Sequence, residues 1–411
     1  MKNSGISYFG EIPATWQVVR NGYLFCNTKT IVLPNKEYQL LSLSTKGVRE
    51  KDINDTGGKV PENYNGYQIV HPKDMVMCLF DIDCSAVFSG LSNYYGMISP
   101  AYKILKCRSE IMPEYAQYVF SYIGGKRLYK QYSKNLRYTL NIDDFMALKL
   151  VLPPLPEQKA IADFLDAKCG EIDGLLADLD AEVKTLTEYK KSIIAETVTR
   201  GLNPNAPMKS SNIPWAPEIP AHWKVMTNKY LMRKVKEIAP KYEGQPIISL
   251  SMNGVIVRDL DAGGKMPTSF DGYQHIKPGN LLMCLFDIDV TPRCIGLIKN
   301  DGLTSPAYSQ FAMKEEAYAP YYYYFYLKMD NAKELVYLSK NMRHSLNEDQ
   351  FGALPTIVPP IDEQKAIAKF LDDKCAAIDQ AITDKTQQIE TLKAYKSSLI
   401  YEYVTGKKQV L

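Results

Sequence analysis

The chain has 411 residues, 45% of them hydrophobic and 23% charged, with a formal net charge of +3, the composition of ordinary globular domains with enough length for two or more cores. No apolar run approaches the roughly 20 residues of a membrane span, and Met1-Lys2-Asn3-Ser4 opens no signal-peptide pattern, so a cytoplasmic protein is expected. The cysteines (26, 78, 84, 107, 169, 284, 294 and 375) and histidines (71, 222, 275 and 344) form no C-x-x-C pair and no cluster, which disfavours a metal site or disulfides and predicts buried, reduced thiols.

In chain order, almost everything is said twice. Glu11-Ile12-Pro13-Ala14-Thr15-Trp16 returns as Glu218-Ile219-Pro220-Ala221-His222-Trp223, at an offset of 207. Ser42-Leu43-Ser44 returns as Ser249-Leu250-Ser251, and one residue is then lost, so Met77-Cys78-Leu79-Phe80-Asp81-Ile82-Asp83 recurs from Met283 at an offset of 206. A repeat of about two hundred residues is too long for a solenoid unit and implies two whole domains. The chain should be a covalent pseudo-dimer, suited to a partner with two-fold symmetry.

The first part of each copy reads as mixed α/β (α+β). Tyr38–Leu43, Met75–Phe80 and Ala101–Leu105 look like strands bounded by Gly, Pro, Asn and Asp. Residues 113–132 and 320–338 look helical, and the tyrosines of the run Tyr321–Tyr326 are expected in the core with hydroxyls at its edge rather than stacking on bases. Asn141 and Asn347 suit the cap of a short helix, with Asp144 or Gln350 at the box position.

Each copy then ends in a long helix. Leu165, Cys169, Ile172, Leu176, Leu179, Val183, Leu186, Lys190 and Ile193 are spaced by fours and threes, as are Leu371, Cys375, Ile378, Ile382, Lys385, Ile389, Leu392, Lys396 and Leu399. Pro156, Glu157 and Asp362 suit the starts, and Gly201 and Gly406 the stops. Each helix is the natural partner of the other in an antiparallel coiled coil, an arrangement that puts one domain at each end where parallel rods would leave both at the same end. The boundaries expected are 1–155 for the first domain, 156–201 for its helix, 202–216 for a linker, 217–361 for the second domain and 362–411 for the last helix.

Charge separates these parts. Residues 157–200 carry −4 and residues 363–405 carry −1, so the remainder carries +8 and favours a polyanion. The segments with the best chemistry for DNA are Lys134, Asn135, Arg137 and Tyr138, and their copies Lys340, Asn341, Arg343 and His344. Arginine can bond guanine through two hydrogen bonds, asparagine can bond adenine, and lysine can hold phosphate. Lys46, Arg49 and Arg293 complete the DNA-binding candidates. No phosphate-binding loop occurs, since no Gly-Lys pair is followed by Ser or Thr, and no Asn-Pro-Pro-Tyr/Phe methyltransferase motif is present. The duplicated Asp81-Ile82-Asp83 and Asp287-Ile288-Asp289 read as turns rather than nuclease metal ligands.

Three sets of residues carry a family resemblance. Leu152-Pro153-Pro154-Leu155-Pro156-Glu157-Gln158-Lys159-Ala160-Ile161-Ala162, with Val358-Pro359-Pro360-Ile361-Asp362-Glu363-Gln364-Lys365-Ala366-Ile367-Ala368, resembles the start of the spacer helices in specificity subunits of Type I restriction-modification enzymes. Glu11-Ile12-Pro13 with Trp16, and Glu218-Ile219-Pro220 with Trp223, resemble that family's domain-opening motif, and the Ser-Pro-Ala-Tyr segments at 99 and 305 fit too. The resemblance implies two target recognition domains, each reading half of a bipartite site on double-stranded DNA, asymmetric or near-palindromic. It implies a chain that is not itself an enzyme and binds no cofactor. Two modification subunits would bring S-adenosylmethionine for adenine methylation, and restriction subunits would bring ATP and Mg2+ for translocation and cleavage. The alternatives are an enzyme acting directly on nucleic acid and a coiled-coil adapter without base readout.

Overall fold

The computed structural model describes all residues except 34–36, 46, 53–63, 134–136, 262–266, 340–343 and 411. Met75–Met77 is a strand buried along its whole length. Alternate residues of a strand face opposite sides: Met75 and Met77 join a core with Trp16, Phe120 and Phe145, whereas Val76 joins a smaller cluster with Leu41, Val48 and Ile104. Burial on both faces is why the sequence is apolar at successive positions there. The strand is third in an antiparallel sheet ordered Phe25–Thr28, Lys103–Cys107, Met75–Met77, Ser89–Leu91. The second copy repeats it with Met232–Val235, Ser309–Met313, Leu281–Met283 and Ile295–Leu297, in the same order.

A helix lies C-terminal to each sheet, and both are shorter than their sequence patterns suggest. Pro113–Gly125 is followed by a 3-10 turn over Leu128–Tyr132, and Ala319–Asn331 by a short helix over Glu334–Leu338. The break is made by Arg127 and Lys333, whose φ values of 52° and 51° are left-handed. The tyrosine-rich helix is core, as expected: Tyr321, Tyr322 and Tyr326 are essentially inaccessible. Their hydroxyls are buried with them rather than at the edge of the core, Tyr321 donating to the Val198 carbonyl at 2.9 Å and Tyr322 to that of Ile357 at 3.3 Å.

The chain divides into two units, Met1–Asp180 with Gln387–Leu411, and Ala181–Thr386. This division does not fall at the helix starts near 155 and 361, because each unit takes the start of one long helix and the end of the other. Leu165, Ile172, Leu399 and Val404 belong to the core of unit 1, whereas Ile194, Val198, Leu371 and Cys375 belong to that of unit 2. Residues 202–216 are likewise not a bare linker. Met208–Ser210 pairs with Glu218–Pro220 as Lys2–Asn3 pairs with Glu11–Ile12, and Ile213 and Ala216 are buried in the unit 2 core.

The long helices span Leu155–Arg200 and Ile361–Val404, and they run antiparallel. Within unit 2, Lys190 pairs with Asp379 at 2.5 Å and Glu182 pairs with Lys385. Within unit 1, Lys396 pairs with Asp173 at 2.6 Å. All the seam residues are buried or half-buried: Leu165, Ile172, Leu176, Leu179, Val183, Leu186 and Ile193 on the first helix, Leu371, Ile378, Ile382, Ile389, Leu392 and Leu399 on the second. The lysines at seam positions 190, 385 and 396 reach out to carboxylates, so charge reinforces the register that the apolar stripe begins. Among the described residues no helix is long and apolar enough to cross a membrane.

Candidate nucleic-acid interface

The loops of interest hang on a scaffold whose contacts are nearly identical in the two units. The indole N–H of Trp16 donates to Glu157 and that of Trp223 to Glu363, both at 2.9 Å. Gln158 is inaccessible; it accepts from the Met112 N–H at 2.9 Å and donates to the carbonyls of Glu110 and Pro153 at 3.0 and 2.9 Å. Gln364 does the same with Tyr318, Glu316 and Pro359. One turn further on, Tyr118 donates to Asp166 at 2.6 Å and Tyr324 to Asp372 at 2.7 Å. The Glu-Gln pair at the start of each rod thus bolts the rod to its domain, the glutamate through the opening Trp and the glutamine through the loop preceding the sheet-side helix.

The domain can then present a second, strained feature. In unit 1 the Asp81-Ile82-Asp83 segment is a turn, as expected, with the N–H groups of Cys84 and Ser85 donating to the Asp81 carbonyl. Its backbone is tied to the predicted DNA segment: Asp81 N–H donates to the Arg137 carbonyl at 3.0 Å, Ile82 N–H to that of Tyr138 at 3.3 Å, and Leu140 N–H to that of Leu79 at 2.8 Å. In unit 2, Ile288 N–H donates to the His344 carbonyl at 3.2 Å and Leu346 N–H to that of Leu285 at 2.8 Å. Asp81, Tyr138, Asp287 and His344 all hold left-handed φ values between 42° and 50°, which cost of order 1–3 kcal/mol each for residues with a Cβ. Such strain persists only where the surroundings enforce it, and here it recurs at the same place in both copies.

Five of the predicted DNA-binding residues fall within the described structure. Arg137 is exposed, its Nε 3.6 Å from Asp81. The Tyr138 ring is half-buried with the Lys130 ammonium 4.4 Å from its centroid. His344 is half-buried, its Nδ1 3.2 Å from the Ser339 hydroxyl. Arg49 is exposed on the Gly47–Glu50 strand opposite Ser42. Arg293 is half-buried and its guanidinium acts on Tyr323 of the tyrosine-rich helix, opposing the upward push that burial gives that phenol. Lys46, Lys134, Asn135, Lys340, Asn341 and Arg343 lie outside the described residues.

The structure adds basic residues that sequence reasoning passed over. Lys126, Arg127 and Lys130 are exposed beside the Arg137 segment in sequence. Lys333, the counterpart of Arg127, donates to the carbonyls of Ile288 and Thr291 at 3.2 and 2.6 Å and pairs with Asp330 at 3.0 Å, holding the second turn in place. The signal was a basic residue kept in both copies just past the helix. All eight cysteines are free. Cys78, Cys169, Cys284, Cys294 and Cys375 are buried as expected, but Cys26 and Cys84 are exposed, a correction that follows from their places on an outer strand and in the turn. Burial pushes the Cys78 and Cys284 thiols at the base of the turns above their ordinary range, against hydrogen bonds to Ser85 and the Phe80 carbonyl, and to the Phe286 carbonyl and Thr291, so they stay protonated and unreactive.

Residues 297–391 match the family described as the Type I restriction modification DNA specificity domain. The Type I restriction enzyme MjaVIII specificity subunit of Methanocaldococcus jannaschii is 24% identical over 97% of this chain and 94% of its own length. The putative MjaX specificity subunit of the same organism is 24% identical over 74% of this chain and 70% of its own. The chain is thus similar, over nearly its whole length, to a Type I restriction enzyme specificity subunit. The fold has solved counterparts from end to end: a chain from a study of complex assembly in the type I R-M system superposes with a TM-score of 0.70 at 14% identity, over 97% of this chain and 100% of that one. The HsdS subunit of Thermoanaerobacter tengcongensis superposes at 0.50 and 15% identity, over 97% and 98%.

Proposed function

We propose that the chain reads a bipartite sequence in double-stranded DNA, one half with each domain, and directs adenine methylation and restriction carried out by partner subunits. The observation that carries this reading is the duplicated, strained junction of the Asp-Ile-Asp turn with Arg137–Tyr138 in one unit and with His344 in the other. A basic, aromatic or imidazole side chain held on a rigid turn, next to further basic residues, suits contact with base edges and phosphates. The chain needs no catalytic group of its own, since modification subunits supply S-adenosylmethionine chemistry and restriction subunits supply ATP and Mg2+ chemistry. Purified chain should bind DNA with a steep salt dependence but transfer no methyl group until modification subunits are added. Methyl transfer by the chain alone, or binding indifferent to salt and sequence, would sink this reading.

A further inference from the structure

The two units hold the turn beside the candidate DNA-binding segment by different means. In unit 2 the carboxylate of Asp330, a residue only 3% exposed, accepts from the Cys294 N–H at 2.7 Å and pairs with Lys333 at 3.0 Å. The same Lys333 ammonium donates to the carbonyls of Ile288 and Thr291 at 3.2 and 2.6 Å. Ile288 in turn donates its N–H to the His344 carbonyl at 3.2 Å. One cation therefore links a buried anion, two carbonyls of the turn and, through Ile288, the backbone of His344. All three donors of the ammonium are used, and its charge makes each bond stronger than a neutral one.

Among the described residues unit 1 lacks this link. At the offset of 206, Gly124 stands for Asp330, Phe88 for Cys294 and Arg127 for Lys333. The exchange is a joint one, because a Cβ on Gly124 would lie 2.4 Å from that of Phe88, so the ring and a carboxylate cannot share the place. Arg127 is exposed, and no side chain among the described residues donates to the matching carbonyls of Ile82 and Ser85.

We propose that Asp330 and Lys333 are positioning residues for base readout by unit 2: they preset the turn and His344 before DNA arrives, whereas the turn of unit 1 settles on contact. This rests on the functional reading above, in which each unit reads one half-site. A preset backbone avoids the ordering cost of binding, so discrimination in the unit 2 half-site depends on residues that act through the turn.

Asp330→Asn combined with Lys333→Met is the decisive variant. Asparagine still accepts from the Cys294 N–H, methionine keeps the aliphatic stem, and no carboxylate is stranded in the core as it would be in Lys333→Met alone. Assembled with its modification subunits, the double variant should tolerate mismatches about tenfold better in one half-site only, mapped as methylated adenines, with the other half-site unchanged. Hydrogen exchange of the free wild-type chain tests the premise without any substitution: residues 287–291 should exchange about tenfold more slowly than residues 81–85, and the double variant should erase the difference. Full selectivity in the folded variant, equal loss of methylation at all sites without a relaxed base, or equal exchange of the two wild-type turns overturns the positioning role alone. A wild-type complex with no base preference overturns it together with the reading beneath it.

Discussion

The foot of each rod and the turn beside the candidate DNA-binding segment have been treated differently since the duplication. At the foot, the contacts of Trp, Glu, Gln, Tyr and Asp agree between units to within 0.1 Å. At the turn the backbone is the same, down to the left-handed φ values, but the side chains are not: Tyr138 over Lys130 on one side, His344 beside Ser339 on the other. The scaffold is fixed by side-chain hydrogen bonds that are the same in both units, whereas the turn fixes only the main chain and leaves its side chains free to differ. A molecule that must change its sequence preference without losing its fold needs this division.

The comparison can be broken most forcefully at its invariant end. Trp16→Ala and Trp223→Ala each remove a fully buried indole and should cost about 3–5 kcal/mol, measured by urea unfolding of the unit concerned. Unequal losses would show that the two feet are not equivalent. Gln158→Leu keeps the volume but leaves the Met112 N–H and two carbonyls unsatisfied, a loss of about 1–3 kcal/mol, and Gln364→Leu should match it.

At the variable end, Arg137→Ala should cost about 1–3 kcal/mol of discrimination and relax one base in one half-site only, read out by mapping methylated adenines in cells carrying the variant. Leaving Asp81 is no obstacle, because their 3.6 Å ion pair is exposed and contributes little. Uniform weakening on all sequences would assign Arg137 to phosphate instead. The smallest effect is expected in the rods, where Lys190→Met should change stability by about 0–1 kcal/mol and lose even that at high salt. A larger change would mean that the ion pairs, rather than the apolar seam, set the register.

The sequence made some of this plain and hid the rest for physical reasons. The rods were legible because an apolar stripe at spacings of three and four is a direct image of a helix seam. Asn141 and Asn347 were legible as caps, and they do accept from the N–H groups of Asp144 and Gln350, with the reciprocal box completed at Gln350. The break after Gly125 was only half marked, since Gly124-Gly125 punctuates the first copy but the second has no glycine there, and Arg127 and Lys333 enter the left-handed region without being glycine. Residues 202–216 looked like a linker because they are rich in Asn, Pro and Ser, although Met208-Lys209 already repeated Met1-Lys2. The role of Glu157 and Gln158 could not be read from spacing at all, because their partners, Trp16 and the residues near 110, are far away in sequence.

The sharing of each rod between units also sets an order of events during synthesis. Unit 2 is one continuous stretch of chain, Ala181–Thr386, and can assemble as soon as it has left the ribosome. Unit 1 has Phe9, Trp16 and Phe25 waiting for Leu399 and Val404, which are translated only after the whole of unit 2. Gly406 closes the circuit: its left-handed turn, φ +69°, lies so near Trp16 and Pro13 that a Cβ there would come within 2.3 Å of the proline ring. The unit whose first part precedes unit 2 is therefore completed only after it, with an apolar surface that must be kept from aggregation until the end of the second long helix arrives.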